Sequence, residues 1–180
     1  MPDLVLATNN KGKAAEIRKL LGKNLARGAG KRLRVLTPVD FPGCPAAVED
    51  GKTYAENAAK KAVLAAEYTG KCAIADDSGL EVRALGGKPG ANSSRYAGLD
   101  ASDAANNRKL LKAIKGVADR RASFKCVAAF ARPGAGRVLL FSGSCAGRIA
   151  LKPSGAAGFG YDPVFIPRGC RGIRALNHLG

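Results

Sequence analysis

The stretch TYAENAAKKAVLAAEYTGKCAIADDSG, residues 53–79, decides the fold class because a helix and a strand follow each other directly in it. Thr53 and Glu56 have the spacing of a capping box, which predicts that a helix begins there. Gly70 is a typical C-terminal stop for that helix. The apolar run 72–76 then predicts a short buried strand. A helix leading into a buried strand is typical of α/β proteins.

The same alternation of helix and strand continues on both sides of this stretch. Residues 3–8 predict a strand, and a helix follows with Ile17, Leu20 and Leu21 on one face and Gly22 as its stop. Residues 78–99 contain five glycines and a proline and are expected to be mostly loop. A third helix over 102–116 and a hairpin over 122–150 complete the pattern. We therefore predict one α/β domain over residues 1–180 with a mixed sheet.

Bulk composition limits the class of protein. The chain has 180 residues, of which 46% are hydrophobic, and no apolar run approaches the ~18 residues of a membrane span. The N-terminus leads directly into a strand-like segment, so we expect neither a secretory signal nor membrane association. The odd number of cysteines suggests no disulfide framework, so we expect a reduced, cytoplasmic compartment. The five cysteines form no CxxC pair and the chain has a single histidine, which disfavours zinc. Oxygen ligands would then favour Mg²⁺, with Mn²⁺ as an alternative.

Net charge points to anionic partners. Thirty basic and 14 acidic residues give a formal net charge of +16. Such a surface attracts nucleotides, nucleic acids or acidic membranes without distinguishing among them. A solvated basic surface with no specific partner remains the alternative explanation.

The turn TNNKGK, residues 8–13, is a candidate phosphate site. It lies between a predicted strand and a predicted helix, where backbone N–H groups and the helix dipole favour anions. Thr8, Asn10 and Lys13 add polar and positive groups. The turn does not match the Walker pattern, so an ordinary P-loop is not supported. A capped turn with solvated lysines is the alternative.

Carboxylates suggest a metal site. Glu49, Asp76 and Asp77, with Asp50 nearby, include two acids expected at the carboxyl end of a strand, where α/β proteins bind ligands. Mg²⁺ takes one or two carboxylates and completes its shell with water and phosphate oxygens. A turn in which one aspartate bonds the backbone is the alternative.

Two further features belong to the candidate set. Lys61 shares a helix face with Asn57 and Tyr54, and that face is directed either at the acids or at solvent. The loop GFGYDPVF, residues 158–165, holds Phe159, which suits stacking on a base, and Asp162, which suits accepting hydrogen bonds. A tight turn with core aromatics is the alternative for this loop.

Five blocks in this order resemble one family. LATNNKGKAAEI, EDGKTYAENAAKKA, IADDSGLEVRALGGKPGANSSRYAG, FKCVAAFA and GFGYDPVFIP are similar to segments of the inosine triphosphatase family, the dITP/XTP pyrophosphatases. The resemblance implies a two-lobed α/β fold around a long mixed sheet with the nucleotide in a cleft between the lobes. It also implies Mg²⁺-dependent hydrolysis of ITP, dITP or XTP to the monophosphate and pyrophosphate, and a homodimer.

The resemblance also implies roles for individual residues. Asp77 would activate water, and Glu49 and Asp77 would hold the metal. Ser78 would assist through a hydrogen bond. The residues that would contact substrate are Thr8, Asn10, Lys13, Lys61, Ser78, Phe159, Gly160, Tyr161, Asp162 and Arg171.

The chain departs from the family pattern after Pro167. The segment that normally carries a Glu-Lys-Asn block is shortened, and Cys170 stands where the family has a histidine, with His178 as a possible substitute. Two alternative functions follow. One is a pyrophosphatase of the same fold with relaxed base selectivity, and the other is a catalytically impaired homologue that binds nucleic acid through its basic surface.

Overall fold

The computed structural model describes residues 2–25, 33–155 and 158–168, and the mixed α/β class is confirmed in them. Helices and strands alternate along the first half of the chain, and strands dominate the second half. In order, the elements are β1 (Asp3–Leu6), α1 (Lys11–Leu25), β2 (Arg34–Leu36), α2 (Tyr54–Thr69), β3 (Ala73–Val82), α3 (Asp103–Ala113), β4 (Arg121–Ala131), β5 (Val138–Ile149) and β6 (Phe165–Pro167).

One six-stranded sheet connects the strands in the order β2-β1-β3-β4-β5-β6. β1 pairs in parallel with β2 and with β3, and β6 pairs antiparallel with β5, so the sheet is mixed. The chain divides into two compact units. Unit 1 comprises Met1–Asp77 with Val127–Ser142, and unit 2 comprises Ser78–Cys126 with Gly143–Gly180.

Helix α2 is set by its ends and by its alanines. The predicted capping box is confirmed, since Glu56 N donates to Thr53 Oγ1 over 3.1 Å and Thr53 N donates to Glu56 Oε2 over 3.3 Å. Gly70 ends the helix at a left-handed φ of 65°. The small side chains of the inner face allow a close approach to β3. The buried residues at this contact are Ala58, Ala62, Ala65 and Ala66 of α2 and Ala73 and Ala75 of β3.

Unit 2 has its own apolar core under α3. Leu110 and Ile114 pack with Leu80 and Val82, and all four side chains are fully buried. Phe165 lies in the same cluster and meets Phe124 edge to face, with ring centroids 4.8 Å apart. This core anchors α3 and β6, which flank the loop containing Phe159.

Local predictions were confirmed for α3 and the hairpin and wrong at three places. Ser102 caps α3, and β4 and β5 are sheet neighbours as expected. Helix α1 continues through Gly22, because an interior glycine costs a helix only about 1 kcal/mol and does not force an end. The strand predicted for 72–76 continues to Val82, so Asp76 and Asp77 lie inside β3 rather than at its end. Residues 78–99 are therefore less loop-like than expected.

Within the part of the chain that the structure describes, no helix is long and apolar enough to cross a membrane.

Candidate active site

The pleat of β3 separates the two adjacent acids. Successive strand residues point to opposite faces, and Ala73 and Ala75, which share a face with Asp77, are packed beneath α2. Asp77 therefore faces α2, whereas Asp76 receives a hydrogen bond from Lys13 Nζ at 2.6 Å. Each buried carboxylate has its own cationic neighbour, which relieves the repulsion that adjacent acids would otherwise suffer.

Lys61 links two carboxylates in unit 1. Its Nζ lies 2.6 Å from Glu49 Oε1 and 3.7 Å from Asp77 Oδ1. The Lys61 side chain is only 15% exposed, so its charge is partly withdrawn from water. The predicted helix face is thus directed at the acids rather than at solvent. Lys60, one residue earlier, instead pairs with Asp50 at the exposed surface.

Asn57 fixes the position of Asp77 and of the chain before α2. Its Nδ2 donates to Asp77 Oδ2 over 3.1 Å, and its Oδ1 accepts from Gly51 N over 2.8 Å. A Cβ at Gly51 would lie 2.5 Å from Asn57 Oδ1, so only glycine allows this approach. Sequence reasoning placed Asn57 on the right face but assigned it no role.

Burial raises the pKa of the Asp77 carboxyl above its ordinary value. The hydrogen bond from Asn57 and the charge of Lys61 act in the opposite direction, as Lys13 does more weakly, while the negative charge of Glu49 raises it further. A carboxylate with a raised pKa is a stronger base than one in water, which suits proton abstraction.

The TNNKGK turn is a capped helix start. Asn10 Oδ1 accepts from Lys13 N over 3.1 Å, and Asn10 N donates to Thr8 Oγ1 over 3.2 Å. The alternative of a capped turn is therefore correct for the Asn10 oxygen. The Asn10 Nδ2 group can donate a hydrogen bond to a phosphate oxygen. Capping and anion binding are compatible at this helix N-terminus.

The chemistry of the donor set fits Mg²⁺. Glu49 and Asp77 already accommodate a cationic group, the Lys61 ammonium. The described ranges contain no cluster of three or more His, Cys, Asp and Glu side chains with metal-binding geometry. Two carboxylates are nevertheless the number that Mg²⁺ takes when substrate and water supply the remaining ligands.

Unit 2 carries the aromatic loop at residues 158–162. Phe159 is half-buried, and its N–H donates to Asp162 Oδ2 over 3.1 Å. Gly158 has a left-handed φ of 95°, and a Cβ there would overlap the Asp162 carboxylate. Tyr161 is buried and donates through its hydroxyl to Ser93 O over 2.9 Å. The loop is therefore a tight turn, as the alternative predicted, in which Tyr161 is buried and Phe159 is half-buried.

Gly160 is bonded at both backbone groups. Its N–H donates to Asp103 Oδ2 over 2.7 Å, and its carbonyl accepts from Asn107 Nδ2 over 2.9 Å. Sequence reasoning missed Asp103 and Asn107. Their spacing of four residues on α3 was the signal available, but nothing local identified a partner more than 50 residues away.

The remaining predicted residues have simple positions. Ser78 lies in β3 next to Asp77, at the start of unit 2. Arg171, Cys170 and His178 lie outside the described residues. Glu49, Lys61 and Asp77 are brought into contact in unit 1, and Phe159, Gly160, Tyr161 and Asp162 form one loop in unit 2.

The fold and the unit 1 cluster define a mixed α/β protein with paired acids and lysines beside a helix N-terminus. The model of the Ham1 family matches residues 4–176, and the chain belongs to that family.

Named relatives have the same enzyme name. A dITP/XTP pyrophosphatase of Syntrophobacter fumaroxidans is 54% identical over 162 residues, which cover 90% of this chain and 66% of the relative. A dITP/XTP pyrophosphatase of Desulforamulus reducens is 51% identical over 90% of this chain and 78% of the relative. The structure of a HAM1 protein from Coxiella burnetii superposes with a TM-score of 0.79 at 41% identity, covering 92% of this chain and 81% of that one. The chain spans just under two thirds of the first relative's length.

Proposed function

We propose that this chain hydrolyses deaminated purine nucleoside triphosphates, namely ITP, dITP and XTP, to the monophosphate and pyrophosphate. The observation that carries the proposal is the contact of Lys61 with both Glu49 and Asp77, 2.6 and 3.7 Å away, at a buried carboxylate. Membership of the Ham1 family supports it, as do the names of the relatives.

Asp77 is the proposed general base. Its burial makes the carboxylate more basic, and Asn57 holds its orientation through Oδ2. Oδ1 is the oxygen nearer Lys61. A water held against the carboxylate would pass a proton to Asp77 as its oxygen attacks phosphorus at the α–β anhydride bond. That bond would break and pyrophosphate would leave, so the protein itself forms no covalent bond to the substrate.

Lysines are proposed to balance the charge of the triphosphate. Lys61 and Lys13 both have their ammonium groups beside acids, so they are held in place before substrate binds. Charge that is already oriented stabilises a transition state without reorganisation. Thr8, Asn10 and the start of α1 would add neutral donors to the phosphate oxygens. Ser78 is proposed to assist through its hydroxyl.

Mg²⁺ is the proposed cofactor, with Mn²⁺ as a possible replacement. Glu49 and Asp77 would hold it. When bound it would neutralise phosphate charge and lower the pKa of water.

The loop at 158–162 is proposed to recognise the purine. Phe159 is half-buried and is the proposed stacking partner of the base, and Asp162 is bonded to it in the turn. Arg171 is proposed as a further contact. Hypoxanthine and xanthine carry a carbonyl at position 6 where adenine carries an amino group, and they lack the 2-amino group of guanine. A donor directed at the 6-oxygen would therefore reject adenine strongly, because it would be left unpaired.

The test is pyrophosphate release by the purified chain from dITP, XTP, dATP, dGTP and dTTP, each with Mg²⁺, with Mn²⁺ and with EDTA. We expect the highest kcat/KM for dITP and XTP and no turnover in EDTA. Comparable turnover of dGTP and dTTP would instead favour the pyrophosphatase with relaxed base selectivity. No turnover of any triphosphate would contradict the proposal.

A second candidate is nucleic-acid binding, favoured by the charge of +16 and by exposed basic residues on and just after α3. Arg108 and Lys112 are exposed and lie four residues apart on α3, and the exposed Lys115 follows in the turn after the helix. Fluorescence anisotropy with labelled RNA and DNA would show affinity falling steeply with salt if this function exists. Absence of binding at low salt would exclude it.

The proposed assembly is a homodimer of a cytoplasmic protein. Leu139, Leu140 and Phe141 of β5 are large apolar side chains that are 50, 49 and 62% exposed. Leu139 and Phe141 share one face of β5, and exposed apolar side chains grouped on one face are typical of an interaction surface. Light scattering after size exclusion would give the oligomeric state, and a Phe141→Lys variant would test whether this surface takes part.

A further inference from the structure

Helix α3 holds the aromatic loop of unit 2 through the two peptide groups that flank Gly160. Asp103 Oδ2 accepts from Gly160 N, and Asn107 Nδ2 donates to Gly160 O, at 2.7 and 2.9 Å. The two side chains are four residues apart, so they share one helix face. We name this pair of contacts the α3 clamp.

The clamp acts at a glycine of the loop. Gly160 has a φ of 61° and lies between Phe159 and Tyr161. Phe159 N donates to Asp162 Oδ2 and Phe159 O accepts from Asp162 N, which closes the turn without tying it to α3. The glycine beside Phe159 allows the adjoining peptides to rotate at little cost, and the clamp restricts this rotation by fixing the turn to α3. Tyr161 is anchored independently, through its hydroxyl bond to Ser93 O.

Within the part of the chain that the structure describes, Asn107 leaves one buried polar atom unpaired, which is energetically unfavourable. It is 5% exposed, and its Oδ1 is buried without a hydrogen-bond partner among the described residues. Buried polar atoms are nearly always paired, and an apolar side chain would fill this space without an unpaired oxygen. Turning the carboxamide around would place two oxygens face to face at Gly160 O. The donor to Gly160 is therefore the contribution that distinguishes asparagine from an apolar residue here.

We propose that Asp103 and Asn107 are positioning residues that preset the Phe159 loop for the nucleotide base, an inference that rests on the proposed function. Neither side chain needs to touch the substrate. Ordering a loop in advance lowers the cost of binding. Loss of the clamp should therefore raise KM and the Kd for nucleotides, and leave kcat largely unchanged because the proposed base and lysines belong to unit 1.

The decisive variant is Asn107→Asp, which keeps the shape of the side chain but replaces the donor by a carboxylate oxygen facing Gly160 O. We expect KM for dITP to rise about tenfold, with kcat within about twofold of wild type. Asp103→Ala should raise KM about fivefold. Asp103→Asn retains an oxygen that accepts from Gly160 N and should restore KM to within about twofold.

Two controls separate positioning from general damage to α3. Asn106→Asp makes the same chemical change at the neighbouring buried position, whose partners are Ser94 O and Ala97 N rather than the loop. It should lower Tm without the tenfold rise in KM. Ala113→Ser, at an exposed position of the same helix, should leave both quantities unchanged. An equal rise in KM for Asn106→Asp and Asn107→Asp would overturn the proposal, as would a wild-type KM in Asn107→Asp.

Binding and hydrogen exchange test the clamp without turnover. The Kd of dIMP, measured by calorimetry, should be about tenfold higher for Asn107→Asp than for the wild-type chain. The backbone amide of Gly160 should exchange its hydrogen faster in Asp103→Ala than in the wild-type chain. If the wild-type chain hydrolyses no triphosphate, the proposed function fails, and the dIMP result still decides the positioning role. An unchanged Kd, or a wild-type chain that binds no dIMP, would overturn it.

Discussion

The acid–lysine cluster of unit 1 and the aromatic loop of unit 2 are held in different ways. Lys61 and Lys13 form ion pairs with carboxylates, so both partners in each contact are charged side chains. In unit 2, side chains bond to backbone groups instead, as at Gly160, Phe159 and Ser93 O. Charged side chains can balance phosphate charge and exchange protons, whereas a bonded backbone fixes shape. Under the proposed function, this difference suits chemistry in unit 1 and recognition in unit 2.

Among the variants considered, Asp77→Asn in unit 1 should have the largest effect on activity. We expect kcat for dITP to fall about a thousandfold, because an amide cannot accept a proton from water. Folding should not suffer, since burial disfavours the charged form of Asp77 and an Asn57 donor can still reach an amide oxygen. Pyrophosphate release and Tm are the measurements.

The matched control for Asp77→Asn is Asp50→Asn. Asp50 pairs with Lys60 at the surface, so the same substitution there should leave kcat near the wild-type value. Equal activity of wild type and Asp77→Asn would remove Asp77 from the role of base.

Lys61→Met tests whether the lysine balances charge rather than filling space. We expect kcat to fall about a hundredfold, because Met has a stem of similar length but no charge beside Glu49 and Asp77. KM should change less than kcat. Lys60→Met removes the same charge one residue earlier on α2, and a comparable loss in that variant would show that only net charge matters.

Phe159→Ala tests recognition by unit 2. The loss of a stacking ring should raise KM for dITP about tenfold while kcat stays within about twofold. Phe159→Tyr keeps the ring and should behave like the wild-type chain. A fall in kcat with unchanged KM would contradict the division of chemistry and recognition between the two units.

Local signals predicted most of the fold but not the contacts that make each site. The Thr53 capping box and the alanine-rich face of α2 depend on neighbours within one or two turns, and both were found as expected. The strand through Asp76 and Asp77 was predicted too short because its carboxylates and Ser78-Gly79 are typical of a turn. Asp76 and Asp77 can lie inside β3 because Lys13 and Lys61, which are distant in sequence, compensate their negative charges.

The contacts that sequence reasoning missed join residues far apart in the chain. Lys13 is 63 residues from Asp76, Asn57 is 20 from Asp77, and Asn107 is 53 from Gly160. No periodicity or motif specifies such pairs in a single sequence. The residue types in the motifs predicted the chemistry, and the folded arrangement was needed to show which side chain meets which.

Asp162→Asn should give the smallest effect, a pH-dependent change in stability in unit 2. Burial raises the pKa of Asp162, partly opposed by the Phe159 N–H and reinforced by Asp103, so the folded chain holds this proton more firmly than the unfolded chain. The resulting stability is present below the ordinary aspartate pKa and is lost as pH rises through the raised value.

Because asparagine does not titrate, the Tm of Asp162→Asn relative to wild type should increase from pH 4 to pH 7.5. The increase should be no more than a few degrees, since about 1 kcal/mol moves Tm by about 2–4 °C in a chain of this size. Thermal melts at both pH values measure it, and Asp100→Asn, the same substitution at an exposed position, controls for net charge. A Tm difference that shrinks with rising pH would show that the Asp162 carboxylate stabilises the loop as an anion, and the recognition loop would then depend on charge as the unit 1 cluster does.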